Sequence, residues 1–264
     1  MNSLNILICE GNTPEESQKF KDLGIATHTE SLKESLNYFD KNLYIDVINP
    51  CLKLDDNKIA SNLKKYDGLI WGGSSLNIYN NTIEIKRQIS FMKECLKNIK
   101  KILAICWGMQ VAVTASGGLV RKGINGSHIG IARDIKLTSE GLNHQFYCNK
   151  SRQFNSPAFN FDEVVTVPQG SIHLASNKIN NIQSLCFESG ISKVWGLQYH
   201  PEISYEKMIS IINFRKQKLI DERKCFKDEN EVKNHIDIIK EEIKVANKDL
   251  RMIELKNWLN SIVS

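Results

Sequence analysis

The stretch from 101 to 118, KKILAICWGMQVAVTASG, constrains the fold of this chain more than any other. Ile102, Leu103 and Ile105 form a short apolar run that fits a strand buried on both faces of a parallel sheet. Helix-compatible residues follow at once from Met109 to Ala115, so the strand must pass into the helix through a sharp turn. Ala104 and Gly108 flank Cys106 with side chains small enough to permit it. Cys106 then stands at the N-terminus of the helix, where unpaired N–H groups and the macrodipole stabilise negative charge. This is the logic of a nucleophile elbow with cysteine in place of serine. A cysteine that merely packs between strand and helix is the competing reading.

A second segment separates the two readings. Val194 to Tyr199 has the pattern of a strand, and residues two apart in an extended chain point to one side, so His200 and Glu202 can lie together. A carboxylate beside an imidazole fixes its tautomer and stabilises the imidazolium, and Pro201 restricts the backbone between them. Together with the elbow, these residues supply the base and the orienting group that thiol catalysis needs.

Ala104-Ile105-Cys106-Trp107-Gly108-Met109-Gln110 resembles the Gly-x-Cys-x-Gly-x-Gln motif of class I (triad-type) glutamine amidotransferases. Gly196-Leu197-Gln198-Tyr199-His200-Pro201-Glu202 resembles their Gly-Val-Gln-Phe-His-Pro-Glu motif. The resemblance runs over about residues 4 to 203 and is nearest to stand-alone proteins similar to the amidotransferase domain of GMP synthase. It implies a three-layer α/β sandwich, flavodoxin-like, with a mostly parallel central sheet. Residues 1–203 would form that domain, and 204–264 a helical extension packed on it. It also implies catalysis by Cys106, His200 and Glu202.

Tyr66 to Ser75 reads as a strand ending in a glycine turn, where the backbone can come close to a ligand. By resemblance this is the oxyanion loop, with Ser74 where the family commonly has proline. The N–H groups of Gly73 and Trp107 would then receive the oxyanion, and Gln110, Gly72 and Ser74 would contact the substrate. The family's His-x-Asp element has asparagine at the histidine position in Asn160-Phe161-Asp162, so only Asp162 carries over. His128, His144 and His173 are isolated and read as surface or loop residues.

The implied reaction is the glutaminase half-reaction. Glutamine is hydrolysed through a glutamyl thioester to glutamate and ammonia, with no metal or organic cofactor. No acceptor or ATP domain follows the motifs, so the acceptor would be a separate synthase subunit. The alternative is a γ-glutamyl amide or peptide hydrolase with the same triad and no ammonia transfer. A non-catalytic module that kept the fold is a third reading, and its mark would be a lost nucleophile or base; both are present.

Composition bounds the rest. A chain of 264 residues, 41% hydrophobic and 25% charged, can bury a sizeable core. The N-terminus lacks a basic region followed by a long apolar run and no run of about 18 apolar residues occurs, so neither a signal peptide nor a membrane span is expected. Seven scattered cysteines, without Cys-x-x-Cys spacing, argue against a disulfide framework or structural zinc and fit the cytoplasm. The net charge of +5 is spread without a basic stripe, so nucleic-acid binding is not expected.

Thr13-Pro14-Glu15-Glu16 has the features of a helix start. Residues 11 to 34 are read as a local elaboration at the site's rim, followed by a helix from about Leu32 to Lys41. Ile85, Ile89, Met92, Leu96 and Ile99 define the apolar face of a helix on the sheet. After Glu202, Ile236, Ile239, Ile243, Ala246 and Leu250 continue a helical repeat in a charge-balanced region, with 13 Lys and Arg against 11 Asp and Glu over 203–264. Packing on the same chain is the expectation for it; an interface in a homo-oligomer or with a partner is the alternative.

Overall fold

Side chains alternate between the two faces of a strand, and the apolar runs of this chain have a covered face on each side. The computed structural model describes residues 3–55 and 57–263. Its first strands are β1 (Asn5–Cys9), β2 (Tyr44–Ile48), β3 (Gly68–Trp71) and β4 (Lys101–Ile105). They are followed by β5 (Leu119–Lys122), β6 (His128–Ile129), β7 (Ala132–Leu137), β8 (Gln153–Ser156), β9 (Phe159–Asn160) and β10 (Asp162–Thr166). β11 (Ile172–Ser176), β12 (Ser184–Ser189) and β13 (Ser192–Leu197) come last.

A nine-stranded sheet runs in the order β2-β1-β3-β4-β13-β12-β11-β7-β8. From β2 to β13 every pairing is parallel, and from β13 to β8 every pairing is antiparallel. The sheet therefore matches the fold class implied by the sequence, with an antiparallel far half. Two small antiparallel ribbons, β5 with β10 and β6 with β9, lie apart from it.

The helices are α1 (Pro14–Asp22), α2 (His28–Phe39), α3 (Ile83–Asn98), α4 (Trp107–Ala115), α5 (Ser139–Asn143), α6 (Tyr205–Asp221), α7 (Glu229–Val245), α8 (Lys248–Arg251) and α9 (Ile253–Val263). On one face of the sheet, Leu7, Leu69, Trp71, Ile102 and Val194 pack with α3 and α4, including the predicted Ile85, Met92 and Leu96. On the other face, Ile6, Ile8, Ile70, Leu103 and Leu197 pack with Leu32 and Leu36 of α2 and with Leu255, Trp258 and Leu259 of α9. Burial of each such large side chain contributes roughly 1.5–3 kcal/mol.

Thr13 caps α1 as its sequence suggests, accepting from the Glu16 N–H. The next helix begins earlier than expected, at His28. Thr27 and Glu30 form a capping box there, and its reciprocal bonds set the start ahead of the apolar periodicity. The predicted repeat through Leu250 is also broken. α7 ends at Val245, Ala246 is extended at ψ 131°, and the Asn247 side chain caps α8. Ile236 and Ile239 are buried against α6 and β6, whereas Leu250 is 48% exposed. No helix among the described residues is long and apolar enough to cross a membrane.

A buried ion pair ties α9 to the sheet. Lys150 Nζ lies 3.0 Å from Glu254 Oε1 with both side chains almost wholly enclosed. Tyr199 donates to the same carboxylate at 2.7 Å, and its hydroxyl meets that of Tyr147 at 2.7 Å. Removing one partner of such a pair strands the other charge. Glu254→Ala is expected to lower the unfolding free energy by about 3–5 kcal/mol. Lys150→Met combined with Glu254→Leu is expected to recover much of that loss, both read from urea denaturation.

Candidate active site

The ends of β1, β3, β4 and β13 converge at one edge of the parallel half, the place where open α/β sheets bind ligands. Cys106 follows β4 directly, at φ 53° and ψ −103°, a conformation sparsely used by non-glycine residues. Its N–H donates to Leu197 O at 2.6 Å, which joins the elbow to the end of β13. Gly108 is required at the next turn, because a Cβ there would stand 2.3 Å from the Trp71 carbonyl oxygen. The turn inferred from Ala104 and Gly108 is thus present, with α4 starting at Trp107.

His200 Nδ1 lies 2.7 Å from Glu202 Oε1, and both side chains are buried. Burial opposes charge on the imidazole, but the Glu202 carboxylate and then the Cys106 sulfur outweigh it. They raise the ring well above its ordinary value of 6.5. Burial also opposes charge on Glu202, and His200, aided by His28, reverses this and holds the carboxyl well below its ordinary 4.5. The arrangement is one of an imidazolium held between a carboxylate and a sulfur.

Cys106, Trp107, Gln110, Ser74, Asp162 and His200 all line one cleft. Gly73 comes against the ring edges of His200 and His28, so closely that a Cβ would meet each Cε1 at 2.7 Å. The Trp107 N–H belongs to the first turn of α4, where helical N–H groups lack intrahelical acceptors. The Gln110 side chain is buried, and its Oε1 has no hydrogen-bond partner. Gly72 is set behind the cleft, its carbonyl accepting from Gly108 N–H at 3.2 Å. Ser74 Oγ accepts from Leu76 N–H at 3.2 Å. Asp162 is engaged by Asn77 at 2.8 Å and Tyr79 at 3.1 Å.

Gln198 lies within the second motif, while two further neighbours of the site, Gln88 and His28, carried no sequence signal. Gln198 Nε2 donates toward Cys106 Sγ at 3.5 Å. Gln88, fully buried on α3, accepts from the Trp107 indole at 2.7 Å and donates to Gly11 O at 3.1 Å. His28 stacks on His200, with ring centroids 5.2 Å apart and planes inclined by 29°. Gln88 and His28 come from elements remote in sequence from both motifs, and a lone Gln or His has no periodicity to betray it. The expectation for His128 is corrected: it is 1% exposed and its ring meets the side chains of Asn177 and Gln183. Desolvation lowers its pKa to about 4.

Among the described residues, His28, His200 and Glu202 are the grouping of potential metal donors, with ligand atoms within 4.8 Å of one another. Two ligands of one tetrahedral ion would stand about 3.3 Å apart for bonds near 2.0 Å. The 2.7 Å between His200 and Glu202 is that of a hydrogen bond instead.

The profile of the family Glutamine amidotransferase class-I matches residues 26–216, and the chain belongs to that family of amide-cleaving enzymes. Along its whole length it is similar to a γ-glutamyl-L-1-hydroxyisopropylamide hydrolase of Pseudomonas sp, at 28% identity over 287 aligned residues that cover 94% of that protein. It is 29% identical to one subunit of the glutamine-hydrolyzing GMP synthase of Saccharolobus solfataricus, over 61% of this chain and 77% of that one. Gamma-glutamyl peptidase 3 of Arabidopsis thaliana is 26% identical over 58% of this chain and 61% of its own. The fold matches the crystal structure of a glutamine amidotransferase from Thermotoga maritima with a TM-score of 0.70 at 19% identity, over the whole of both chains.

Two outcomes follow from this geometry. Gly73→Ala is expected to lower kcat/KM by about 10²-fold while leaving the circular dichroism spectrum unchanged, because the added methyl pushes on the His200 ring. The charge pair also sets a pH window. The raised His200 value contributes stability in full below 6.5 and loses it as pH rises through the folded value. The depressed Glu202 value contributes in full above 4.5 and loses it as pH falls through the folded value. A His200→Asn, Glu202→Gln double variant should therefore trail the wild type most in unfolding free energy between 4.5 and 6.5. Urea melts over a pH series would show a constant gap if the pair did not titrate in this way.

Proposed function

We propose that this chain hydrolyses γ-glutamyl amides through a cysteine thioester. The observation that carries the reading is the meeting of Cys106 and His200 in one cleft, with the Glu202 carboxylate 2.7 Å from the imidazole. The sulfur of Cys106 attacks the γ-carbonyl carbon, and the N–H groups of Gly73 and Trp107 receive the oxyanion. His200 gives its proton to the leaving nitrogen as the C–N bond breaks. Water then attacks the glutamyl thioester, yielding its proton to His200, and glutamate departs with the sulfur regenerated. Glu202 orients the ring throughout, and Gln110 and Ser74 contact the glutamyl group.

Two observations favour an amine leaving group larger than ammonia. The cleft continues past Cys106 along an apolar wall of Phe20, Phe159, Met208, Ile211 and Leu219, with Arg215 and Arg223 beside it. The relative aligned along the whole chain is named as the hydrolase of a γ-glutamyl amide. Because α6 forms that wall, the helices after Glu202 belong in this reading to the same catalytic body. The relatives named as subunits of glutamine-hydrolyzing GMP synthases support a second reading, in which glutamine is the substrate and ammonia passes to a separate synthase chain.

Intact-mass spectrometry after treatment with a glutamine-analogue electrophile, together with glutamate release from glutamine and from γ-glutamyl alkylamides and peptides, separates these readings. One adduct on the wild type and none on Cys106→Ser is expected, with kcat/KM for an amide at least tenfold above that for glutamine. Cleavage of glutamine alone would select the ammonia donor. Equal labelling of wild type and Cys106→Ser would overturn both.

A further inference from the structure

His28 enters the site from α2, far in sequence from either motif, and no step of the proposed reaction uses it. Its side chain is 12% exposed, and Nδ1 lies 3.9 Å from Glu202 Oε1. That distance is too long for a hydrogen bond. Both His28 Nδ1 and Glu202 Oε2 are buried without a partner. A partnerless donor 3.9 Å from a carboxylate with one oxygen still free is one small shift from a hydrogen bond, and hydrogen bonds of active sites commonly tighten only when substrate is bound.

The ring is held on several sides. It stacks on His200 at 5.2 Å and approaches Phe20 at 6.3 Å, and the Gly73 backbone presses on the edges of both imidazoles. The backbone of His28 is set by the Thr27–Glu30 capping box. Glu202 holds His200 through one hydrogen bond, about which the imidazole could still swing. A flat ring stacked on it blocks that swing.

We infer that His28 is a positioning residue for the triad: as a neutral ring it clamps the His200 imidazole by stacking and offers its Nδ1–H to Glu202 as the site closes on substrate. The inference rests on the reading of Cys106, His200 and Glu202 given above. The groups facing His28 are Glu202 and Glu10, which favour its protonation, and His200 and Lys207, which oppose it. Burial outweighs these and lowers its pKa, so the ring is neutral at neutral pH. When acid protonates it, His28 competes with His200 for Glu202 and repels the imidazolium beside it. Its titration therefore adds a proton to the acid limb of the pH profile.

The test compares wild type, His28→Ala and His28→Phe for kcat, KM, the pH profile of kcat and thermal unfolding, with alkylation of Cys106 as the control. For His28→Ala, kcat is expected to fall 10- to 100-fold with KM within threefold. His28→Phe, which keeps the stack and loses the Nδ1–H, should recover part of the loss and also shows that the position can be replaced without unfolding. In both variants the acid limb should flatten from a two-proton to a one-proton slope. Wild-type kcat in both variants would overturn the inference, as would a loss of kcat that tracks the melting temperature with an unchanged pH profile. Equal alkylation of wild type and Cys106→Ser would instead remove the triad reading beneath it.

Discussion

Cys106 occupies a backbone conformation that costs a non-glycine residue on the order of 1–3 kcal/mol, and it persists because the surroundings over-determine it. The Cys106 N–H is tied to the end of β13, the Gly108 N–H is tied to Gly72 after β3, and the Gly108 Cα rests on the Trp71 carbonyl. Gln88 fixes the Trp107 indole from α3. The elbow is a wedge between two strand ends, and its strain is balanced by the packing of both. The rest of the site is arranged around that wedge.

Electrostatics adds a second constraint. Glu202 is 4% exposed and anionic, so the fold must surround it with positive or polarisable groups. His200 does so directly, and Lys207 and Arg251 also act on it by charge. Lys207 donates to Thr27 O at 3.0 Å, and burial lowers its pKa to about 8. Arg251, beyond α7, donates to Pro201 O at 2.5 Å and Ile203 O at 2.6 Å, on either side of Glu202. The last helices are thereby bonded to the loop that carries the carboxylate. Arg215 of α6, which lines the cleft, pairs with Glu16 of α1.

Much of this was legible in the residues. The apolar run around Leu103 marked β4, the stretch from Tyr66 marked β3, and the spacing of Ile85, Met92 and Leu96 marked the inner face of α3, since burial follows periodicity wherever an element packs on one layer. The break between α7 and α8 was not legible. The apolar repeat runs on past it, and only the side chain of Asn247, bonding to the Leu250 N–H, stops the helix there. The burial of His128 escapes the sequence for a similar reason: a polar residue becomes enclosed when its partners, Asn177 and Gln183, arrive from distant parts of the chain.

The sequence by itself determined the local chemistry. Small residues on both sides of Cys106 permit a strand-to-helix turn, and His200 and Glu202 stand one residue apart whatever surrounds them, because these relations depend on steric size and on distances of one or two residues. Tertiary structure alone decided what stands beside that chemistry. His28, Gln88 and Lys207 reach the site from three other elements, with sequence separations that no periodicity records. Their positions follow from how helices stack on a twisted sheet, and against the burial this imposes the charge of His200 is held by Glu202 and the Cys106 sulfur.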